Sequence, residues 1–184
     1  EGVGVGDRVA AYMPNVPETV AAMLATSALG GTFSSCSPEF GVMGVLDRFG
    51  QIEPKILLTV DGYRYGGQAF DIRPKVREIV AGLPGVRRVV VLPYLAPAPD
   101  LSGIRDAVLL ADFLVCDPPP LRFVSLPFDH PLYILYTSGT TGKPKAIVHG
   151  QGGTLLKHLV EHRLHTDLRA GQRLFYFTTC GWMM

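Results

Sequence analysis

The sequence predicts an α/β fold in which a mainly parallel sheet carries helices on both faces. Short apolar runs alternate along the chain with longer segments whose apolar residues recur at helical spacing, the pattern of βαβ units. The apolar runs are continuous rather than alternating with polar residues, which is typical of parallel strands covered on both faces. Pro and Gly mark the ends of several helical segments, so element boundaries can also be assigned.

The first βαβ unit has the clearest boundaries. The run VAAYM at residues 9–13 is a predicted strand that ends at Pro14 and Asn15. The following helix is predicted to begin near Pro17, because Pro is tolerated in the first turn, and to end at a glycine pair. The second predicted strand comprises residues 32–36, directly after those glycines.

The same alternation continues to residue 92. It predicts a helix at residues 42–49, a strand at 56–60, a helix at 72–82 and a strand at 86–92.

The second half of the chain is less regular. Residues 93–130 are rich in proline and are predicted to be loops, with a short helical piece near residues 105–114. Strands at residues 133–136 and 146–149 are predicted on either side of a polar loop, and a helix at 152–165 follows.

Length and charge restrict the class of protein. The chain has 184 residues, the size of one ordinary domain. Its 17 Lys and Arg residues against 16 Asp and Glu residues leave a formal charge of +1. A nearly neutral chain offers no electrostatic argument for binding nucleic acid or an anionic membrane surface, so neither is an expected partner. No apolar run approaches the roughly 18–20 residues that a membrane span needs.

Cysteine usage and the chain ends give two further expectations. Cys36, Cys116 and Cys180 are odd in number and form no CxxC pair, so we expect a reduced, cytoplasmic protein. Cys36 and Cys180 are expected to be inert thiols within apolar strands. The chain begins without Met and neither end carries a polar tail or a capped helix, so we expect a piece of a longer protein.

The segment YTSGTTGKPKAIVHG, residues 136–150, interrupts the apolar pattern. Hydroxyl residues, two glycines and two lysines lie between its flanking strands. Glycines allow consecutive backbone N–H groups to converge, while the hydroxyl and ammonium groups add donors and positive charge. Hydrogen bonds to a charged partner contribute roughly 1.5–3 kcal/mol each, so this loop suits a polyphosphate. The alternative is a surface hairpin with incidental polarity.

This loop is not a Walker A motif. That motif, GxxxxGK[ST], needs Ser or Thr after its lysine, whereas Pro144 follows Lys143, and it needs Gly where Thr137 stands. The next element is predicted to be a strand, so no helix N-terminus is directed at the phosphates. A P-loop ATPase or kinase is therefore disfavoured.

Two other patterns match known sites only in part. HLVEH at residues 158–162 fits the zinc pattern HxxEH, but the one acid that follows, Asp167, is too close in sequence to be a comfortable third ligand. GVGVG at residues 2–6 is not GxGxxG and follows no strand, so a dinucleotide site is not expected. The sequence therefore predicts no metal-binding residues.

The stretch TSGTTGKPK resembles the phosphate-binding loop of the adenylate-forming ligases, the acyl-CoA synthetase superfamily. The resemblance covers nearly the whole chain and is weakest at residues 93–125. GVGVGDRVAAYMPN and the residues up to SPEFG are similar to the opening strand–helix–strand of the superfamily's large N-terminal domain. Ala146 stands where the commonest loop has Gly. The resemblance implies that residues 1–184 are an incomplete N-terminal AMP-binding domain, with the C-terminal domain absent.

Ligases of this superfamily use Mg·ATP to convert a carboxylic acid into an acyl-adenylate, release pyrophosphate, and pass the acyl group to coenzyme A. The resemblance implies ATP, Mg²⁺ and coenzyme A for the full-length protein, and SSCSPEFG, PKAIVHGQGG and FTTCGWMM favour a branch that takes a short β-keto acid. An acetyl- or propionyl-CoA synthetase and a non-catalytic nucleotide-binding fragment are the alternatives. The magnesium ligand and the catalytic Lys would lie past residue 184, so the chain alone is expected to be inactive.

The resemblance also assigns candidate site residues. The phosphate cradle would be lined by Thr137, Ser138, Gly139, Thr140, Thr141, Gly142 and Lys143. Lys145 is either a further phosphate contact or the ion-pair partner of an acid elsewhere. Trp182, Met183 and Met184 match the stretch beside the acyl group, where they would shape a pocket for a short acid; the alternative is core packing at a strand end. No catalytic residue is expected within the chain.

Overall fold

The computed structural model describes residues 1–137 and 142–182 of the chain. The strands are β1 (Arg8–Tyr12), β2 (Thr32–Cys36), β3 (Ile56–Val60), β4 (Gly62–Tyr65), β5 (Gln68–Asp71), β6 (Arg88–Leu92), β7 (Ala107–Leu109), β8 (Pro131–Tyr136) and β9 (Ala146–Gly150). The helices are α1 (Pro17–Ala28), α2 (Val42–Phe49), α3 (Arg73–Ala81), α4 (Leu110–Phe113) and α5 (Gln151–Val160).

Seven of these strands form one sheet in the order β7-β6-β3-β1-β2-β8-β9. All neighbours pair in parallel except β8 and β9, which are antiparallel and are joined by the polar loop. The predicted α/β class with a mainly parallel sheet is confirmed. Parallel neighbours need a crossover connection, and α1, α2 and α3 lie in the connections between the central strands.

The helices cover both faces of this sheet. Val9 lines an apolar cavity together with Ala22 of α1 and Val90 of β6. Its neighbour Arg8 instead donates from Nε to the carbonyl of Ile52, just after α2, at 2.5 Å. Because successive strand residues point to opposite faces, α1 and α2 lie on opposite sides of the sheet.

Apolar burial at the sheet centre holds the fold together. Leu57 and Val89 of neighbouring strands are fully buried, as are Phe49 of α2 and Ile79 of α3. Burying a side chain of this size contributes about 1.5–3 kcal/mol. The continuous apolar runs of the sequence are therefore explained by strands that have no solvent-facing side in this part of the sheet.

A hairpin of β4 and β5 was not predicted. Its turn is Gly66-Gly67, with φ of 56° and 80°, a left-handed conformation that favours glycine at both positions. Tyr63 and Phe70 stack across the two strands with ring centroids 5.0 Å apart. The glycine pair was the available signal, but GYRY and QAFD lack the apolar alternation by which strands were assigned.

The helical piece expected at residues 105–114 is only partly correct. Residues Ala107–Leu109 form β7, which pairs in parallel with β6, and the helix is confined to Leu110–Phe113. Three apolar residues carry no usable period, so their strand conformation depends on the neighbouring β6 edge rather than on local sequence.

The C-terminal part also differs from expectation. The helix predicted at residues 152–165 is α5 followed by a π-helical turn at Glu161–His165. Cys180, expected within an apolar strand, lies in a turn.

Among the described residues, no helix is long and apolar enough to cross a membrane.

Candidate functional site

The polar loop begins where β8 leaves the sheet. Its base is closed by two hydrogen bonds between predicted phosphate-site residues. The N–H of Thr137 donates to the carbonyl of Lys145 at 3.2 Å, and the N–H of Lys145 donates to the side-chain Oγ1 of Thr137 at 3.4 Å. Thr137, Gly142, Lys143 and Lys145 are thus placed by the ends of the β8–β9 pair. Four other predicted contacts lie outside the described residues: Ser138, Gly139, Thr140 and Thr141.

Helix α2 contacts the second half of this loop. The ammonium group of Lys143 lies 3.5 Å from the carboxylate of Asp47, and the Lys143 side chain is 80% exposed. The side-chain amide of Gln51 donates to the carbonyl of Pro144 at 2.8 Å. These contacts orient the loop toward the C-terminal end of α2, and they place one of its two lysines at the surface with its charge accessible.

A buried polar cluster supports the start of the loop. The phenol of Tyr136 donates to the carbonyl of Arg48 at 3.1 Å and lies 3.4 Å from Ser34 Oγ. The Arg48 guanidinium stands over the rings of Phe40 at 4.7 Å and Tyr136 at 5.8 Å, within cation–π range. Burial raises the pKa of Tyr136 to about 12, so this hydroxyl stays protonated and can donate.

Tyr12 extends this cluster to the residues after β2. Its buried hydroxyl lies 2.7 Å from the carbonyl of Phe40 and 2.8 Å from that of Pro38, with the single proton shared between them. Burial raises the pKa of Tyr12 as well, so the donor is not lost near neutral pH. The backbone of Phe40, whose ring faces Arg48, is thereby hydrogen-bonded to the last residue of β1.

The loop itself leaves the sheet at the carboxyl end of β8, which runs parallel to β2, as β2 does to β1. Tyr12 and Tyr136 are the last residues of β1 and β8 and so lie at this edge. Ligands of open α/β sheets bind outside the carboxyl ends of the strands. The position of the loop therefore agrees with that of a ligand-binding loop.

Trp182 lines a second feature near the same edge. A cavity of about 230 Å³ is bounded by Trp182, Cys180, Tyr133 and the β2 residues Ser34 and Ser35, among others. Trp182 is 57% exposed, so it is not packed as a core residue within the described structure. Met183 and Met184, predicted with it as the acyl pocket, lie outside the described residues.

Sequence reasoning missed several residues that contact the candidate site. Asp47, Arg48 and Gln51 lie on or after α2, far from the loop in sequence, and Asn15 contacts the segment before Trp182. Single charged or amide side chains in a helix or turn carry no motif, so the sequence offered no signal for them. Their roles arise only from the order of strands in the sheet.

The acid of the HxxEH segment, Glu161, is paired with Lys157 and His165. The carboxylate of Glu161 is hydrogen-bonded by Lys157 and by Nδ1 of His165 at 3.0 Å, and these bonds, that from Lys157 most of all, lower its pKa to about 2. The rings of His158 and His162 lie 6.2 Å apart and tilted. The described residues contain no group of three or more His, Cys, Asp or Glu side chains placed to hold a metal ion.

Alkylation at pH 8 should distinguish the three thiols. Burial raises the pKa of Cys36 to about 12 and also raises that of Cys180, whereas Cys116 is exposed. Because the thiolate is the reactive form, we expect iodoacetamide to modify Cys36 at least about 100-fold more slowly than Cys116. Peptide mass spectrometry over a time course measures both rates in one sample. Equal rates would show that Cys36 is accessible and activated.

The chain belongs to the AMP-binding enzyme family, whose model matches residues 1–184. It is 56% identical over 186 residues to acetoacetyl-coenzyme A synthetase of Rhizobium meliloti and 48% identical over 189 residues to acetoacetyl-CoA synthetase of Mus musculus. Each match covers 100% of this chain and 28% of the relative. The resemblance to adenylate-forming ligases is thereby confirmed.

A solved structure gives the same result. Acetoacetyl-CoA synthetase from Streptomyces lividans matches with a TM-score of 0.91 and 49% sequence identity, over 99% of this chain and 27% of that one. The chain therefore spans about 28% of the length of the curated relatives it matches.

Proposed function

We propose that this chain forms the ATP-phosphate-binding part of a ligase that joins acetoacetate to coenzyme A through an acyl-adenylate. The observation that carries the proposal is the TSGTTGKPK loop at the carboxyl edge of the parallel sheet, in a chain similar over its full length to proteins named acetoacetyl-CoA synthetase. In this reaction the acid's carboxylate attacks the α-phosphate of ATP and pyrophosphate leaves. The thiol of coenzyme A then attacks the acyl carbon and AMP leaves.

The loop's task is to hold the β- and γ-phosphates and to disperse charge on the departing pyrophosphate. We assign it to Thr137, Ser138, Gly139, Thr140, Thr141, Gly142 and Lys143. The exposed ammonium group of Lys143 supports this role, since it can reach a ligand above the loop. Donors fixed in advance lower the barrier because they need no rearrangement as charge develops. Lys145, also exposed, is proposed as a further phosphate contact.

Asp47 has a defined part in this arrangement. Its carboxylate lies on the helix side of Lys143, while Gln51 restrains the adjoining Pro144. An ion pair this exposed contributes at most about 1 kcal/mol. Asp47 therefore orients the lysine without competing strongly with a polyphosphate, which carries several negative charges.

Magnesium accompanies ATP in the proposed reaction, but the described residues do not fit a magnesium site. They contain no cluster of three or more acidic or other ligating side chains. We place the metal ligand past residue 184, with the adenine and ribose contacts and the catalytic Lys.

The acyl end of the site is proposed to lie at Trp182, Met183 and Met184. Large side chains at these positions would restrict the pocket to short acids, which agrees with acetoacetate. The cavity beside Trp182, of about 230 Å³, supports this assignment.

We further propose that residues 1–184 are part of the N-terminal AMP-binding domain. The free thiols of Cys36, Cys116 and Cys180 support a cytoplasmic location.

Acid-dependent ATP–pyrophosphate exchange tests this function on the protein expressed from the complete open reading frame. Acetoacetate, acetate, propionate and butyrate are compared at equal concentration. We expect acetoacetate to give exchange at least about tenfold faster than butyrate, since a pocket that hydrogen-bonds the keto oxygen rejects an acid without one.

Two outcomes would contradict the proposal. Exchange with acetate or propionate but not acetoacetate would keep the adenylate chemistry and move the chain to another branch. No exchange with any of the four acids, in a protein that still binds ATP, would favour the non-catalytic nucleotide-binding alternative.

A further inference from the structure

The side chain of Asn15 holds a segment of backbone that is remote in sequence. Asn15 follows β1, and its Nδ2 donates to the carbonyl of Thr178 at 2.5 Å. Its Oδ1 accepts the N–H of Cys180 at 2.8 Å. One amide side chain thus pairs with both a carbonyl and an N–H of the same segment, as a neighbouring β-strand would.

A second anchor reaches the same segment from β2. The buried Ser35 donates from Oγ to the carbonyl of Cys180 at 2.8 Å. The backbone also approaches closely at Gly181, where an added Cβ would come within 2.6 Å of the Ser35 carbonyl oxygen. Residues 178–181 are therefore tied to the carboxyl ends of both β1 and β2.

These anchors lie directly before Trp182. The N–H of Trp182 donates to the carbonyl of Thr179 at 3.2 Å, so Trp182 closes a turn whose backbone is held on both sides by Asn15 and Ser35. The Trp182 side chain is 57% exposed. Within the described structure, its position is consequently set by the anchored backbone more than by packing of its own ring.

We propose that Asn15 and Ser35 are positioning residues for the acyl pocket, which set acid selectivity by fixing the backbone that leads into Trp182. This inference rests on the proposed function, because it takes Trp182 as a wall of that pocket. Neither residue touches the reacting atoms in this view. Their effect is to hold one wall of the cavity that Ser35, Cys180 and Trp182 share, so that its size does not vary.

The variant Asn15→Asp tests the inference with almost no change in volume. An ionised Asp still accepts the N–H of Cys180, but it presents an oxygen instead of a donor to the Thr178 carbonyl and repels it. We expect the KM for acetoacetate to rise about 10-fold and the preference for acetoacetate over butyrate to fall by a similar factor. The KM for ATP should stay within about twofold, since the phosphate loop is not touched.

Two further variants keep the test decisive. Ser35→Ala removes one neutral hydrogen bond and should shift the same selectivity by about 2- to 10-fold. This variant tests the positioning role if Asn15→Asp does not fold. Ser102→Ala is the matched control, because the Ser102 Oγ donates to the carboxylate of Asp100 at 2.8 Å and Ser102 does not line the cavity beside Trp182. It should leave both KM values and the selectivity unchanged.

The outcomes separate the two proposals. If the unsubstituted protein shows no acid-dependent exchange, the proposed function fails and this inference fails with it. If the unsubstituted protein prefers acetoacetate but both variants keep that preference, only the positioning role is overturned. A lower melting temperature with equal losses for every acid and for ATP would likewise overturn it, since that is the effect of a purely structural bond.

Discussion

Replacing Lys143 with glutamine is expected to slow acid-dependent ATP–pyrophosphate exchange by about 10- to 100-fold. The physical reason is the loss of one charge-assisted hydrogen bond to the phosphates, roughly 1.5–3 kcal/mol. Glutamine keeps a polar side chain of similar length, so the change isolates the charge. The measurement is the exchange rate at saturating acid, with the KM for ATP determined for each protein.

Lys157→Gln is the matched control for this experiment. Lys157 is also largely exposed, but it lies on α5 and pairs with Glu161. We expect its exchange rate to match that of the unsubstituted protein within about twofold, because exposed ion pairs contribute little.

Asp47→Asn separates the lysine from its carboxylate partner. It should change the exchange rate by less than about threefold, again because the Lys143–Asp47 pair is exposed. An unchanged rate in Lys143→Gln, or an equal loss in Lys157→Gln, would contradict the role assigned to the loop.

Replacing Asp61 with alanine is expected to destabilise the protein by about 3 kcal/mol. Asp61 is buried at the end of β3, and its carboxylate accepts the backbone N–H groups of Tyr94, Leu95 and Ala96 at 2.7–3.2 Å. Removing the acceptor leaves three partly buried donors unpaired, at about 1–3 kcal/mol each before water and loop relaxation reduce the loss. Asp61→Asn keeps one acceptor oxygen and should cost about half as much.

Hydrogen exchange gives the most local measure of this effect. Peptides containing residues 94–96 should exchange faster in Asp61→Ala, and the midpoint of thermal unfolding should fall. Asp117→Ala, at an exposed position in the Pro-rich region, is the control and should alter neither. Unchanged protection of residues 94–96 in Asp61→Ala would show that the carboxylate does not hold this loop.

The regular elements could be predicted because their signals are local. The strands Thr32–Cys36 and Ile56–Val60 and the helix Val42–Phe49 have the predicted bounds, since continuous apolar runs and helical spacing are readable within about ten residues. Where that signal was short, prediction failed. Ala107–Leu109 form a strand because they pair with the edge strand β6. Gly66 and Gly67 form the turn of a hairpin whose strands show no clear apolar periodicity.

The candidate site, too, was predictable only where its residues are adjacent in sequence. The hypothesis that the loop at residues 137–145 binds phosphate could be drawn from its composition, because donors, glycines and charge are all adjacent in sequence. The residues that contact the loop and the segment before Trp182 could not be predicted. Gln51 lies 93 positions from Pro144, whose carbonyl it binds, and Asn15 lies 163 from Thr178.

The sequence by itself therefore determined the fold class, the family resemblance and the loop proposed to bind phosphate. Only the tertiary structure decided which side chains support that loop and which hold the segment before Trp182. The physical reason is the strand order β7-β6-β3-β1-β2-β8-β9, which differs from the order along the chain. It places β8 beside β2 and β2 beside β1, so the loop after β8, the residues after β1 and the helix after β2 become neighbours although they are far apart in sequence.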